Sequence, residues 1–174
     1  RKQNAETFIV DVKGMDKLVL VTTGGSDGSD YDQAVWGNAR LIAADGSSVW
    51  LDQVKYEYGK AGWDKTRMNI NAYGKPLSVG GKKFEHGVFC HAEGMLVYAL
   101  NKKYIRFEAE VGIDDQSQSG SVYFQALNVI PSDIAQKLQA QYPKEAGLLS
   151  NVFGGLETWL ISGDTSIEKN AIKK

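Results

Sequence analysis

Gly87-Val88-Phe89-Cys90-His91-Ala92-Glu93-Gly94 is the stretch on which the fold turns: an apolar, aromatic and β-branched run that stops at a polar turn. Similar runs follow at Met95 to Leu100, Tyr104 to Val111 and Ser121 to Leu127, parted by Asn-Lys-Lys or Gly-bounded polar turns. Short strands at this spacing predict an antiparallel sandwich. Upstream, Leu77-Ser78-Val79 runs into Gly80-Gly81 and then into a strand over Phe84 to Phe89. Closer to the start, Phe8 to Val12 alternates, and Lys17-Leu18-Val19-Leu20-Val21-Thr22 is apolar on both faces, as in a strand covered on both sides. Gly24 to Asp32 is a small, acidic loop. A strand follows over Trp36 to Ala43 and turns at Asp45-Gly46; Ser48 to Tyr58 alternates again, and a Gly-rich loop, Gly59 to Asp64, carries Trp63.

The character changes at Pro131. Ser132-Asp133 caps a predicted helix with Ile134, Leu138 and Tyr142 on one face, and a second helix is expected within Leu148 to Leu160, interrupted at Gly154-Gly155. Thr165 with Glu168 reads as the capping box of a third. The expected class is therefore mainly β: an antiparallel β-sandwich over residues 1–130, with a helical appendage or linker over 131–174. The non-Met start and the barely extended last helix suggest a piece of a longer polypeptide, whose neighbouring domain is an expected partner.

In 174 residues, 20 basic and 21 acidic side chains are interspersed, so no basic stripe tracks a phosphate backbone and nucleic acid is not an expected partner. Runs such as Leu18 to Val21 are far too short to span a bilayer. The single cysteine, Cys90, excludes an internal disulfide and reads as a small buried filler. Nineteen glycines against three prolines, with eight Tyr, six Phe and four Trp, fit a turn-rich β fold.

Three blocks resemble the NPCBM family, the novel putative carbohydrate-binding modules attached to bacterial glycoside hydrolases. One runs from Gly74-Lys75-Pro76-Leu77-Ser78-Val79-Gly80-Gly81 to His91-Ala92. Another is Tyr104-Ile105-Arg106-Phe107-Glu108-Ala109-Glu110-Val111-Gly112-Ile113-Asp114-Asp115, continuing through Gly120-Ser121-Val122-Tyr123-Phe124. The last is Leu18-Val19-Leu20-Val21 through Asp27-Gly28 to Asp32, Ala34 and Trp36, similar to the family's closing loop. The resemblance implies a jelly-roll, galactose-binding-like sandwich that binds glycans without catalysis, in a secreted, cell-surface or periplasmic bacterial protein that belongs to a larger glycoside hydrolase or other glycan-processing polypeptide. Here the closing block stands first, which implies either a permuted single sandwich or the end of one module followed by the start of the next. The single sandwich is expected, because half of one would expose a long unpaired edge. Gln33 and Val35 stand where the family has His and a second Asp, and Glu93-Gly94 follows His-Ala. Those departures motivate the alternative of a structural or protein-interaction sandwich that has lost its sugar site.

Sugar recognition needs an aromatic face for the C–H surface and a few rigid polar groups for the hydroxyls. Asp32, Gln33, Trp36, Trp63, His91 and Glu93 are the candidate set. Trp36 reads equally as a core plug, and His91 equally as a neutral imidazole bonded to loop backbone. Trp63, between Gly62 and Asp64, is the stacking candidate. Asp27 and Asp30, beside Asp32 and near glycines, form a candidate calcium set of hard oxygens, and Asp114-Asp115 a second acidic cluster; neither has EF-hand spacing. With two histidines and one cysteine, no Ser-His-Asp order or His-x-x-x-His spacing supports an enzyme. Glu108 and Glu110 share a strand face and could mimic an acid pair, but are expected to form a solvated outer face.

Overall fold

In the computed structural model, which describes residues 3–25, 28–130, 132–152 and 166–173, alternation in the sequence becomes two facing antiparallel sheets. The strands are β1 (Glu6–Asp11), β2 (Lys17–Gly24), β3 (Gln33–Ala43), β4 (Ser48–Trp50), β5 (Tyr58–Lys60), β6 (Arg67–Met68), β7 (Leu77–Val79), β8 (Lys82–Phe84), β9 (Gly87–His91), β10 (Gly94–Ala99), β11 (Tyr104–Ile113), β12 (Ser121–Leu127) and β13 (Ser166–Lys173). Helices α1 (Ser132–Gln141) and α2 (Pro143–Val152) separate the last two. One sheet has the order β1-β11-β3-β9-β6, with β4 also on β3; the other has the order β13-β12-β2-β10-β5. A β7-β8 hairpin stands apart.

Side chains from both inner faces meet in one core. Trp36 is fully buried there: its ring lies 5.3 Å from Phe8 and 6.0 Å from Phe107 in its own sheet, and 5.0 Å edge-on to Phe124 of the opposite sheet. Leu18 and Leu20 of β2 join this core, while Val19 and Val21 point outward into a second cluster with Tyr58, Met95, Val97, Leu127, Ile130 and Ala135 of α1. The two-sided apolarity of β2 is thus explained by the helix that covers it. Likewise Val35 of β3 points out into a third cluster with Leu77, Val79, Phe84 and Phe89, roofed by the hairpin. That hairpin closes at Gly80 and Gly81, both at positive φ (61° and 89°), the two-residue turn that suits the strand twist.

The expected strand Lys17–Thr22 pairs with β12 on one side and β10 on the other, while the Trp36 strand pairs with β11 and β9. The Asp-Trp and His-Ala blocks therefore complete a single sandwich. Some elements differ from expectation. Ser48 to Tyr58 is not one strand: after β4 a single 3-10 turn, Leu51–Gln53, buries Leu51, and the chain then crosses to the other sheet at β5. The Phe84 to Phe89 run is broken at Glu85 and His86 between β8 and β9. No third helix forms at Glu168; Ser166–Lys173 is a strand that pairs antiparallel along the whole of β12, whose free edge outweighs a local capping pattern. The interruption expected at Gly154-Gly155, and Leu156 to Leu160, lie outside the described residues.

Trp36→Ala should lower stability by about 3–5 kcal/mol, the range for emptying a large aromatic site, as measured by denaturant unfolding. Deleting residues 1–46 removes β1, β2 and β3 and should leave no dispersed amide spectrum; a folded remnant would contradict the single sandwich. Burial pushes the Cys90 thiol up to about 11, with the bond from the Thr66 hydroxyl pulling the other way. Because the folded thiol is raised, its contribution is fully present below the unfolded value near 9.0 and is lost as pH climbs from there towards 11. The native thiol should therefore resist an aromatic disulfide reagent at pH 8 and react only on unfolding.

Candidate functional site

Three strand ends converge at one edge of the hairpin-bearing face. β3 begins at Gln33, β9 ends at His91 and β11 ends at Ile113, and because the strands are antiparallel these ends lie side by side. Gln33 pairs directly with His91, and the Asp114 N–H donates to the Gln33 carbonyl at 2.8 Å. Alternation sends Ala34 and Cys90 into the main core, so Gln33 and His91 share the outer face with Val35 and Phe89. Directly opposed side chains of this kind sit about 5 Å apart at Cβ.

His91 is only 7% exposed, and its Nδ1–H donates to the Ala92 carbonyl. The imidazole is thus bonded to loop backbone. Trp63, 53% exposed, stands edge-on to this ring at 5.7 Å. Its loop is held by the Gly62 N–H on the His91 carbonyl at 3.0 Å and by Asp64, whose carboxylate accepts from Arg67 Nε at 2.7 Å. That bond from Arg67 holds the Asp64 carboxyl below its ordinary range.

Gln33 is 3% exposed. Its Nε2 donates to the Tyr73 hydroxyl at 3.4 Å, while its Oε1 is buried and accepts no hydrogen bond among the described residues. Tyr73, 57% exposed, rides on a turn organised by the buried Asn71: Asn71 Oδ1 accepts from the backbone of Tyr73 and Lys75, both at 3.0 Å, and Asn71 Nδ2 donates to Asp114 Oδ1 at 3.0 Å. Tyr31, at φ 66°, is a third exposed aromatic; the Gln33 N–H donates to its carbonyl at 2.8 Å, and the Ser117 hydroxyl donates there too.

The remaining candidates are placed otherwise. Trp36 is a core plug with no face open to a ligand. Asp32 is fully buried: its Oδ1 accepts from the Ser121 N–H at 2.7 Å and its carbonyl from Ala92 N at 3.0 Å, so it ties the acidic loop to β12 and β9. Glu93 is exposed, and its carboxylate accepts from the Gly24 N–H at 2.9 Å. Asp30 is exposed, and Asp27 lies outside the described residues. Among the described residues no group of three or more His, Cys, Asp or Glu is arranged to hold a metal. Asp115 accepts from the N–H groups of Gly80 and Gly81 at 3.0 and 2.8 Å, so the second acidic cluster fixes the hairpin turn. Glu108 is held by Arg40 and Arg106. Partial burial raises the Glu110 carboxyl, but bonds from Lys82 and Asn38 outweigh this and leave it below its ordinary range. The acid pair is therefore an ion-paired outer face.

Two facing antiparallel sheets make this a β-sandwich module, with exposed aromatics near a buried amide and imidazole at its strand ends. The NPCBM/NEW2 domain pattern matches residues 1–42 and 47–131, and the chain belongs to this family of carbohydrate-binding modules. No curated protein and no solved structure matches the chain.

Gly62 is where the Trp63 loop touches the sandwich most closely: a Cβ there would lie 2.2 Å from Glu93 N and 2.3 Å from the Ala92 oxygen. Backbone cannot rotate away, so Gly62→Ala should displace the loop at a cost of about 1–3 kcal/mol. Unfolding midpoints and the Trp63 indole N–H resonance would report it; an unmoved resonance with unchanged stability would contradict the packing.

Proposed function

We propose that the protein is a non-catalytic carbohydrate-binding module of a secreted or surface bacterial glycan-processing polypeptide, taking galactose-terminated or related glycans at the Gln33–His91 end. The observation that carries this reading is the buried Gln33 Oε1 without a hydrogen bond, beside the His91 imidazole and the open indole of Trp63. A pyranose lays its C–H face on an indole and donates its hydroxyls to fixed acceptors. Gln33 Oε1 is an acceptor of this kind, and His91 stands opposite it on the neighbouring strand. Membership of a carbohydrate-binding family supports the ligand class. No helix among the described residues is long and apolar enough to cross a membrane.

A glycan array followed by calorimetry tests the reading. Trp63→Ala should weaken binding by about 1–3 kcal/mol while moving the melting temperature little, since the side chain is exposed. A folded protein that binds no galactose-terminated or related glycan would sink the proposal and favour a sandwich that serves protein interaction instead.

A further inference from the structure

The turn over residues 69–76 carries chemistry that the strand ends alone do not. Tyr73 is more exposed than Trp63, yet its hydroxyl is the group that meets the Gln33 carboxamide. An exposed tyrosine on a free loop would sample many positions, and this one is tied. Its own N–H and that of Lys75 both end on Asn71 Oδ1, the Asn71 N–H donates to the Lys75 carbonyl at 2.8 Å, and Gly74 N donates to the Asn71 carbonyl at 3.1 Å. Asn71 is in turn anchored by its Nδ2 on Asp114 Oδ1, and Asp114 also accepts from the N–H groups of Gln116 and Ser78, at 3.0 and 3.3 Å. Both Asn71 and Asp114 are fully buried, so this tether is not traded for water.

The geometry points to Tyr73 as a second ligand-contacting residue of the site, with Asn71 and Asp114 as its positioning pair. This rests on the module reading above. The Tyr73 hydroxyl accepts from the Gln33 amide N–H at 3.4 Å, so the carboxamide and the exposed ring are held together at the strand end, and a sugar, with an apolar face for the ring and hydroxyls for the polar groups beside it, is the chemical class that fits. The exposed ring supplies a wall on the Gln33 side, as Trp63 does on the His91 side. A site lacking Tyr73 would leave the Gln33 amide unoriented and lose one of its aromatic surfaces.

The experiment uses the full chain and two probes, lactose and N-acetyllactosamine, followed by amide NMR titration that includes the Gln33 side-chain NH₂ resonance, alongside melting curves. Wild type should bind, with that resonance moving. Tyr73→Ala should weaken binding about tenfold with an almost unchanged melting temperature, in the range for truncating an aromatic contact. Tyr73→Phe should keep part of the affinity but shift the Gln33 NH₂ resonance in the unliganded protein. Asn71→Ala should weaken binding to a similar degree, and the Asn71→Ala/Tyr73→Ala double variant should bind no worse than either single one, a non-additivity that a merely structural role for Asn71 would not produce. If Asn71→Ala does not fold, the Tyr73 variants decide alone. Wild-type affinity in Tyr73→Ala alongside loss in Trp63→Ala would overturn this assignment and leave the module reading standing. No binding of either probe by wild type would overturn both.

Discussion

Trp36 spans the gap between the sheets, and the direction it faces fixes everything around it. Its ring packs on Phe8 and Phe107 from its own sheet and meets Phe124 across the core, so β3 cannot slip by one residue without expelling the largest side chain of the interior. With position 36 inward, period-2 alternation turns Val35 and Gln33 outward. Val35 then joins the small apolar cluster under the hairpin, and Gln33, just past the edge of that cluster, is left at the strand end beside His91. A core constraint thereby sets the chemistry of an outer face.

Loop acids in this protein mostly hold backbone. Asp32 takes the Ser121 N–H, Asp114 those of Gln116 and Ser78, Asp115 those of Gly80 and Gly81, and Glu93 that of Gly24. All but the local Gln116 bond join segments at least 34 positions apart, in a fold whose loops would otherwise leave N–H groups without partners. An acid-rich loop near glycines looks the same in sequence whether its carboxylates face an ion or the chain itself. The long-range partner is what local sequence does not carry: Asp32 and Asp114-Asp115 read as possible ligands, and in the structure they hold backbone N–H groups.

The same distinction separates what was legible from what was not. Alternation and β-branched runs located the strands around Leu18, Trp36, Leu96, Phe107 and Phe124, because local pattern and tertiary burial agree there. The exposure of Trp63 followed from its Gly and Asp neighbours. Ser48 to Tyr58 alternates well enough for one strand, but the chain has to change sheets, and no local signal marks a crossing. β13 was masked by a helix-capping pattern because its strand state is dictated by the edge of β12, some 40 residues earlier. Tyr31 and Tyr73 carry no local signal that sets them apart from the other tyrosines. Asn71-Ala72-Tyr73-Gly74 signals a turn, yet its partner Asp114 lies 43 positions away.

Orphaned polar atoms in the interior differ in what they imply. Trp36 Nε1 and Tyr98 Oη are also buried without a hydrogen-bond partner among the described residues, but both sit in the closed core, where aromatic packing offsets the lost bond. Gln33 Oε1 carries a comparable cost, about 1–3 kcal/mol for an unsatisfied buried acceptor, in a different setting: the start of a strand, on a side chain whose amide meets the exposed Tyr73 and whose cross-strand neighbour, His91, meets the exposed Trp63. Local rules are broken in folded proteins mainly where function compensates. A rigid site also loses little conformational freedom on binding, so a few contacts suffice to hold a small, strongly hydrated ligand. The buried Gln33 carboxamide and the tethered Tyr73 turn that meets it are therefore two aspects of one arrangement, both set by the inward turn of Trp36.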